Sequence, residues 1–195
     1  GRIDELHGVS TRGFRGPGYS WSETILEVLA ARDYLYAAST LPTSLGPLAR
    51  AYYFATAGKG MSKTPERKTL FGTFRDGLRP VGAYEWALRN GQSLLEIPVT
   101  TIPGIKAPFH FSYLLFLARR SEALAFGYLR SALATCRIFG VEPSFLLHPL
   151  DLMGGDEVHE LAFFPGMDLP SKKKRELFKK ALGIQMHVVR AMPNT

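Results

Sequence analysis

Short apolar runs of strand character alternate along this chain with segments whose apolar residues recur every three or four positions, and this alternation limits the fold more than any other feature. Residues 12–15 form a strand candidate halted at Gly16-Pro17-Gly18. Ser20 with Glu23 has capping-box spacing for a following helix whose apolar face is Ile25, Leu26, Leu29 and Ala30. Residues 34–39 read as a second strand. Residues 41–76 carry mixed helical periodicity broken at Gly58-Lys59-Gly60, so two helices are expected in a helical insertion spanning residues 41–92. Residues 94–100 read as a strand that Pro98 confines to an edge, an end or a bulge. Ser121-Glu122 opens a helix with Leu124, Phe126, Leu129, Leu133 and Cys136 on one face and Gly140 as its stop. Residues 143–147 are almost wholly apolar, as suits a strand buried on both faces, and they end at His148-Pro149. Ser171 caps a last helix carrying Leu177, Phe178, Ala181 and Leu182, with Gly183 beyond it and residues 186–189 as a final strand candidate. The order implies an α/β fold with a parallel or mostly parallel sheet and right-handed crossovers.

Composition narrows the class. With 195 residues, 46% of them hydrophobic and 21% charged, the chain has material for one domain with a sizeable core. A lone α/β barrel, which needs about 200–250 residues, would be short. Cys136 is the only cysteine, so no intramolecular disulfide forms, and its apolar periodic setting suits a buried small hydrophobe. The most apolar run, residues 107–118, ends at Arg119-Arg120, short of the roughly 20 residues that span a bilayer, so no membrane span is expected. Gly1 is not an initiator methionine and no leader pattern follows it, so the true start of the protein is expected upstream. The compartment is left open.

Much of the net charge of +7 comes from Lys172, Lys173, Lys174, Arg175, Lys179 and Lys180, six cations within nine residues. They read as a solvated helix face, with an anionic surface as the competing partner; without interleaved aromatics, nucleic acid is not an expected partner. The chain has no G-x-G-x-x-G, no P-loop and no G-x-S-x-G elbow, which removes the usual support for nucleotide-dependent and serine-hydrolase chemistry.

In parallel α/β sheets, chemistry gathers at the C-terminal strand ends. Arg15 leaves the first strand before a Gly-Pro-Gly turn that lets backbone approach a ligand, and His148 leaves the last apolar strand with its direction fixed by Pro149. On one parallel sheet these ends share a face. A cation, a histidine and backbone donors together suit acyl transfer, although each residue also has a structural reading, Arg15 as an ion-pair partner and His148 as an ordinary polar side chain. Tyr19 and Trp21 suit stacking on a sugar ring or capping the core. His148, Asp151, Asp156, Glu157, His159 and Glu160 crowd one loop, readable as an oxygen/nitrogen metal site or as a flexible solvated loop around Gly154-Gly155. Asp4, Glu5 and His7 read as the exposed end of a helix.

Gly13-Phe14-Arg15-Gly16-Pro17-Gly18-Tyr19-Ser20-Trp21-Ser22, with a helix directly after it, resembles the third motif of the NodB-homology polysaccharide deacetylases, carbohydrate esterase family 4. Tyr34-Leu35-Tyr36-Ala37-Ala38-Ser39, Leu95-Glu96-Ile97-Pro98-Val99 and Phe145-Leu146-Leu147-His148-Pro149 resemble later segments of the same domain. The resemblance implies a distorted (β/α)-barrel whose N-terminal strands are absent from this chain. The implied activity is a metal-dependent hydrolase that removes acetyl groups from a polysaccharide or glycan, with a divalent metal, usually zinc. By motif match Arg15 holds the catalytic-base aspartate, backbone around Gly18 and Tyr19 lines the oxyanion site, Trp21 borders the substrate, and His148 is the general acid. The family's Asp-Asp pair and His-x-x-x-His pair occur nowhere in these residues, so the metal ligands are expected upstream of Gly1 or on another polypeptide. Ala37 stands where many relatives carry an aspartate, which keeps open a non-catalytic glycan-binding or assembly module with a degenerate pocket.

Overall fold

In a computed structural model, which describes residues 2–43, 76–164 and 166–190, the first two strand runs shorten to β1, Gly13–Phe14, and β2, Tyr36–Ala37. They are joined through the helix α2, Glu23–Ala31, and preceded by the short helix α1, Arg2–His7. Two further strands, β3 at Tyr84–Ala87 and β4 at Ser93–Glu96, complete a four-stranded sheet of order β1-β2-β4-β3. β1 pairs parallel with β2 and β2 parallel with β4, while β3 and β4 form an antiparallel pair. The chain is therefore mixed α/β, as the alternation implies, and the sheet is mixed, with two of its three strand pairings parallel and one antiparallel.

Alternation along β4 shows how the sheet is covered. Leu94 and Glu96 are buried while Ser93 and Leu95 are exposed, so one face is packed and the other is open. Leu26 and Leu29 of α2 meet Ala37, Leu88 and Leu94 on the covered face. The expected cap of α2 is displaced by two residues. Ser20 turns back to donate to the Pro17 carbonyl at 2.8 Å, and extended Ser22 accepts from the Ile25 amide at 3.2 Å instead. Past β4 the pairing becomes irregular where Pro98 offers no donor: the Ile97 amide bonds to Ala37 O and the Val99 amide to Thr40 O. Most of the expected helical insertion, residues 44–75, lies outside the described residues. Within 76–92 the structure has a 3-10 turn and β3 where helix was expected.

The chain divides into two units, Gly1–Val99 and Thr100–Thr195. The sheet belongs to the first. The second is built on α3, Phe111–Ala118, α4, Glu122–Ile138, and α5, Ser171–Arg190, and the only pairing of strand type among its described residues is the isolated bridge between Thr101 and Pro108. Ser121 caps α4 by accepting from the Leu124 amide, and Gly140, at φ 63°, follows its end in the left-handed region. Ala125, Phe126, Leu129, Ala132, Leu133 and Cys136 form its buried stripe at helical spacing, whereas Leu124 is exposed. Leu129 and Leu133 are fully buried, which contributes about 1.5–3 kcal/mol each.

Two expected strands are absent here. Residues 186–189 continue α5, because the inner stripe of Lys174, Leu177 and Ala181 extends at helical spacing to Ile184 and Val188. Gly183 does not stop the helix; a side chain there would meet nothing within 4 Å, so a helical glycine is tolerated at a cost of about 1 kcal/mol. Residues 143–147 form no strand. Ser144 gives its amide to the Thr100 hydroxyl at 2.7 Å rather than to a neighbouring backbone, which interrupts any ladder. His148 therefore ends no strand of the sheet, and the strand-end face it was expected to share with Arg15 loses its basis.

Candidate functional site

In the first unit, the ends of β1 and β2 are fastened by polar contacts. Arg15 Nε donates to Ala38 O at 2.8 Å and the Gly16 amide donates to Ser39 Oγ at 2.9 Å. Arg15 is otherwise exposed, with no carboxylate partner among the described residues, so its ion-pair reading is not realised there. Only glycine fits at position 16, where a Cβ would lie 1.9 Å from the Ser20 carbonyl oxygen. The 3-10 turn Pro17–Tyr19 follows, with Gly18 at φ 60° and Tyr19 at φ 62°. Glycine adopts this left-handed conformation freely, but in tyrosine it stores roughly 1–2 kcal/mol. Such strain is concentrated at functional sites.

Trp21 is half-buried. Its ring lies 4.6 Å from Trp86, and the Arg79 guanidinium sits 4.4 Å and 4.3 Å from the Trp21 and Trp86 ring centres. The core-cap reading of this residue is the environment observed. Beside it, fully buried Glu96 accepts from the Thr40 amide at 2.8 Å, the Thr40 hydroxyl at 2.9 Å and Trp86 Nε1 at 3.0 Å, tying β4 to β3 and to the end of β2.

In the second unit, His148 closes residues 143–147 and starts the 3-10 turn Pro149–Asp151. Its amide donates to Asp151 Oδ2 at 2.9 Å and the Asp151 amide returns to His148 O at 3.0 Å. Ser112, in the first turn of α3, donates its hydroxyl to Asp151 Oδ1 at 2.7 Å and lies 3.1 Å from His148 Nδ1. The direct separation between His148 Nδ1 and Asp151 Oδ2 is 3.5 Å. The His148 side chain is 45% exposed and that of Asp151 only 8%. Burial pushes the Asp151 carboxyl up, but hydrogen bonds from His148 and Ser112 outweigh it and hold the group below the usual carboxylate range.

His110 stands behind this group. Its ring centre is 5.5 Å from that of His148, it is 7% exposed, and its Nδ1 has no hydrogen-bond partner. Burial, and then the neighbouring His148, lower it from 6.5 to about 4, against an opposing pull from Asp151.

The crowded acidic loop resolves into separate structural tasks. Asp156 accepts from the Ser171 amide and hydroxyl at 2.9 Å at the start of α5, where a carboxylate also favours the helix dipole. Glu157 holds Arg175 at 2.7 Å and 3.2 Å. Asp151 serves Ser112 and His148. No group of three His, Cys, Asp or Glu residues that could hold a metal ion occurs among the described residues. Nor is the basic run one solvated face. Lys174 is 1% exposed, with Nζ on Leu150 O at 2.9 Å and Met153 O at 2.6 Å, and desolvation lowers its pKa. Lys173 and Lys180 both engage Glu122. No helix among the described residues is long and apolar enough to cross a membrane.

Arg15, Gly18, Tyr19 and Trp21 thus fall in the first unit and His148 in the second. Sequence reasoning passed over Ser112, His110, Glu96 and Lys174. Its one usable signal was polar His110 and Ser112 inside the most apolar run of the chain. No protein-family model, curated protein or solved structure matches the chain.

Proposed function

We propose that this chain is the C-terminal part of a deacetylase-type hydrolase of distorted (β/α)-barrel fold, acting on acetylated glycans with His148 as general acid. The observation that carries the reading is the hydrogen-bonded group of His148, Asp151 and Ser112. A half-exposed histidine with a buried carboxylate 3.5 Å from Nδ1 is built to carry and release a proton. Asp151 also supports the reading despite Ala37: its carboxylate lies 3.5 Å from His148 Nδ1, three residues further along the chain. The strained turn at Gly18 and Tyr19 supports a second role, backbone donors facing an oxyanion, and Arg15 has its Nη groups available for a carboxylate of the catalytic base.

The family's divalent metal, usually zinc, does not fit the described residues, among which no three His, Cys, Asp or Glu side chains gather to hold it, while Asp151, Asp156 and Glu157 are already hydrogen-bonded. In this reading its ligands belong to a segment outside them. The test is acetate release from N- and O-acetylated oligosaccharides by the full-length protein supplied with zinc, compared with His148→Gln and Arg15→Ala. Both variants should lose at least about 100-fold in kcat while still binding saccharide. Saccharide binding by the wild type without acetate release would favour the non-catalytic glycan-binding module.

A further inference from the structure

We propose that Ser112 is a positioning residue that places the proton of neutral His148 on Nδ1 and keeps Nε2 as the nitrogen that exchanges protons with a ligand. The proposal deepens the general-acid reading and rests on it for its catalytic consequence, although the tautomer itself does not depend on that reading.

A serine hydroxyl has one hydrogen and accepts through its remaining lone pairs. Ser112 Oγ lies 2.7 Å from Asp151 Oδ1 and 3.1 Å from His148 Nδ1. If the hydroxyl hydrogen pointed at Nδ1, two oxygens, one of them in a carboxylate, would face each other at 2.7 Å with no hydrogen between them. Because Asp151 is held ionised by its donors, the hydroxyl hydrogen must lie on the Asp151 side. The Ser112 oxygen can then only accept from Nδ1, which carries a hydrogen in this arrangement; the Asp151 amide, which also faces the His148 side chain across the turn, is satisfied by His148 O at 3.0 Å and does not need Nδ1 as an acceptor. Asp151 Oδ2, at 3.5 Å, is too far to make this bond itself and is occupied by the His148 amide at 2.9 Å. Ser112 therefore passes the carboxylate's influence to the ring.

Fixing the tautomer in this way matters for proton delivery. His148 enters as imidazolium. Once water has added to the acyl carbon, the carbonyl re-forms as the bond from that carbon to the sugar nitrogen or oxygen breaks, and the electron pair of the broken bond goes to the leaving atom, which forms a new bond to the Nε2 hydrogen. The N–H electron pair stays on Nε2, and the ring is left neutral with its hydrogen on Nδ1. That product is the tautomer which Ser112 and Asp151 stabilise, so the hydroxyl favours release of the proton in the productive direction.

The experiment is 15N NMR of the histidine side chains in the full protein, with His148 assigned by its loss in His148→Gln. Neutral His148 in the wild type should carry its hydrogen on Nδ1. Ser112→Ala should shift the population to the Nε2-protonated form, and Ser112→Thr, which keeps the hydroxyl, should restore the wild-type spectrum. In acetate release, Ser112→Ala should lower kcat about tenfold or more with little change in KM. An Nε2-protonated ring in the wild type, or an unchanged tautomer in Ser112→Ala, overturns the proposal. If the tautomer shifts as expected while the wild type releases no acetate, the role of Ser112 stands and the deacetylase reading fails.

Discussion

Acidification should destabilise the second unit through a single buried side chain, His110. In the folded protein this imidazole titrates at about 4, against 6.5 for the ordinary group. Between these values the unfolded chain binds a proton that the folded chain refuses, so unfolding is favoured as pH falls. The stability is complete above about pH 6.5 and declines by about 1.4 kcal/mol per pH unit until the folded group also protonates. The full loss is about 3 kcal/mol, a large fraction of the stability of a small domain. The carboxyls of Asp151, Asp156 and Glu157, all held below their ordinary values, add their own losses when they protonate, mainly at lower pH.

The comparison that isolates His110 is His110→Phe, which removes the titrating ring and replaces the unpartnered Nδ1 by carbon, a change expected to be neutral or mildly stabilising at pH 7. Both tryptophans, Trp21 and Trp86, lie in the first unit, so their fluorescence does not follow the second. Urea unfolding followed by far-UV circular dichroism is the suitable assay, because α3, α4 and α5 dominate the helical signal of the described residues. From about pH 7 to about pH 4.5 the wild type should lose most of that 3 kcal/mol relative to His110→Phe. Parallel losses in the two proteins would refute the reasoning.

Removing the carboxylate in Glu96→Ala strands three donors, the Thr40 amide and hydroxyl and the Trp86 indole, at about 1–3 kcal/mol each, so tryptophan-monitored unfolding should shift by at least about 3 kcal/mol. Glu96→Gln, which keeps an acceptor, should cost less. Gly154→Ala would place a methyl group 2.2 Å from Asp156 Oδ1 and 2.5 Å from Leu169 O, a clash worth about 1–3 kcal/mol. Hydrogen exchange should show it as lost protection at the amides of Gly154 and Ser171, with α2 amides unchanged.

What was legible in the sequence was whatever one segment decides for itself. Ser121, the 125–136 stripe and Gly140 mark α4 because capping, periodicity and a left-handed stop act within a few residues of one another. The first two strands were legible for the same reason, although each is shorter than the run that marks it. Residues 186–189 were misread because Val188 and Val189 favour a strand locally, while packing on the α4 side of the core fixed a helical period that the preceding Gly183 was too weak to break.

The site followed the same division. Arg15 and His148 were singled out because each sits in a local motif beside glycine or proline. Ser112 and Asp151 are 39 residues apart and meet only because the run before His148 lies against the start of α3, where the Phe111 amide bonds to Leu146 O at 3.2 Å. Lys174 was hidden for a related reason. A lysine in a basic run looks solvated until tertiary structure brings two carbonyls, of Leu150 and Met153, onto its ammonium. Those carbonyls belong to the turn of Asp151 and the residues just after it. Ser112 and Lys174, which sequence could not reveal, therefore anchor this turn, and the proton chemistry proposed for this chain depends on them as much as on the histidine itself.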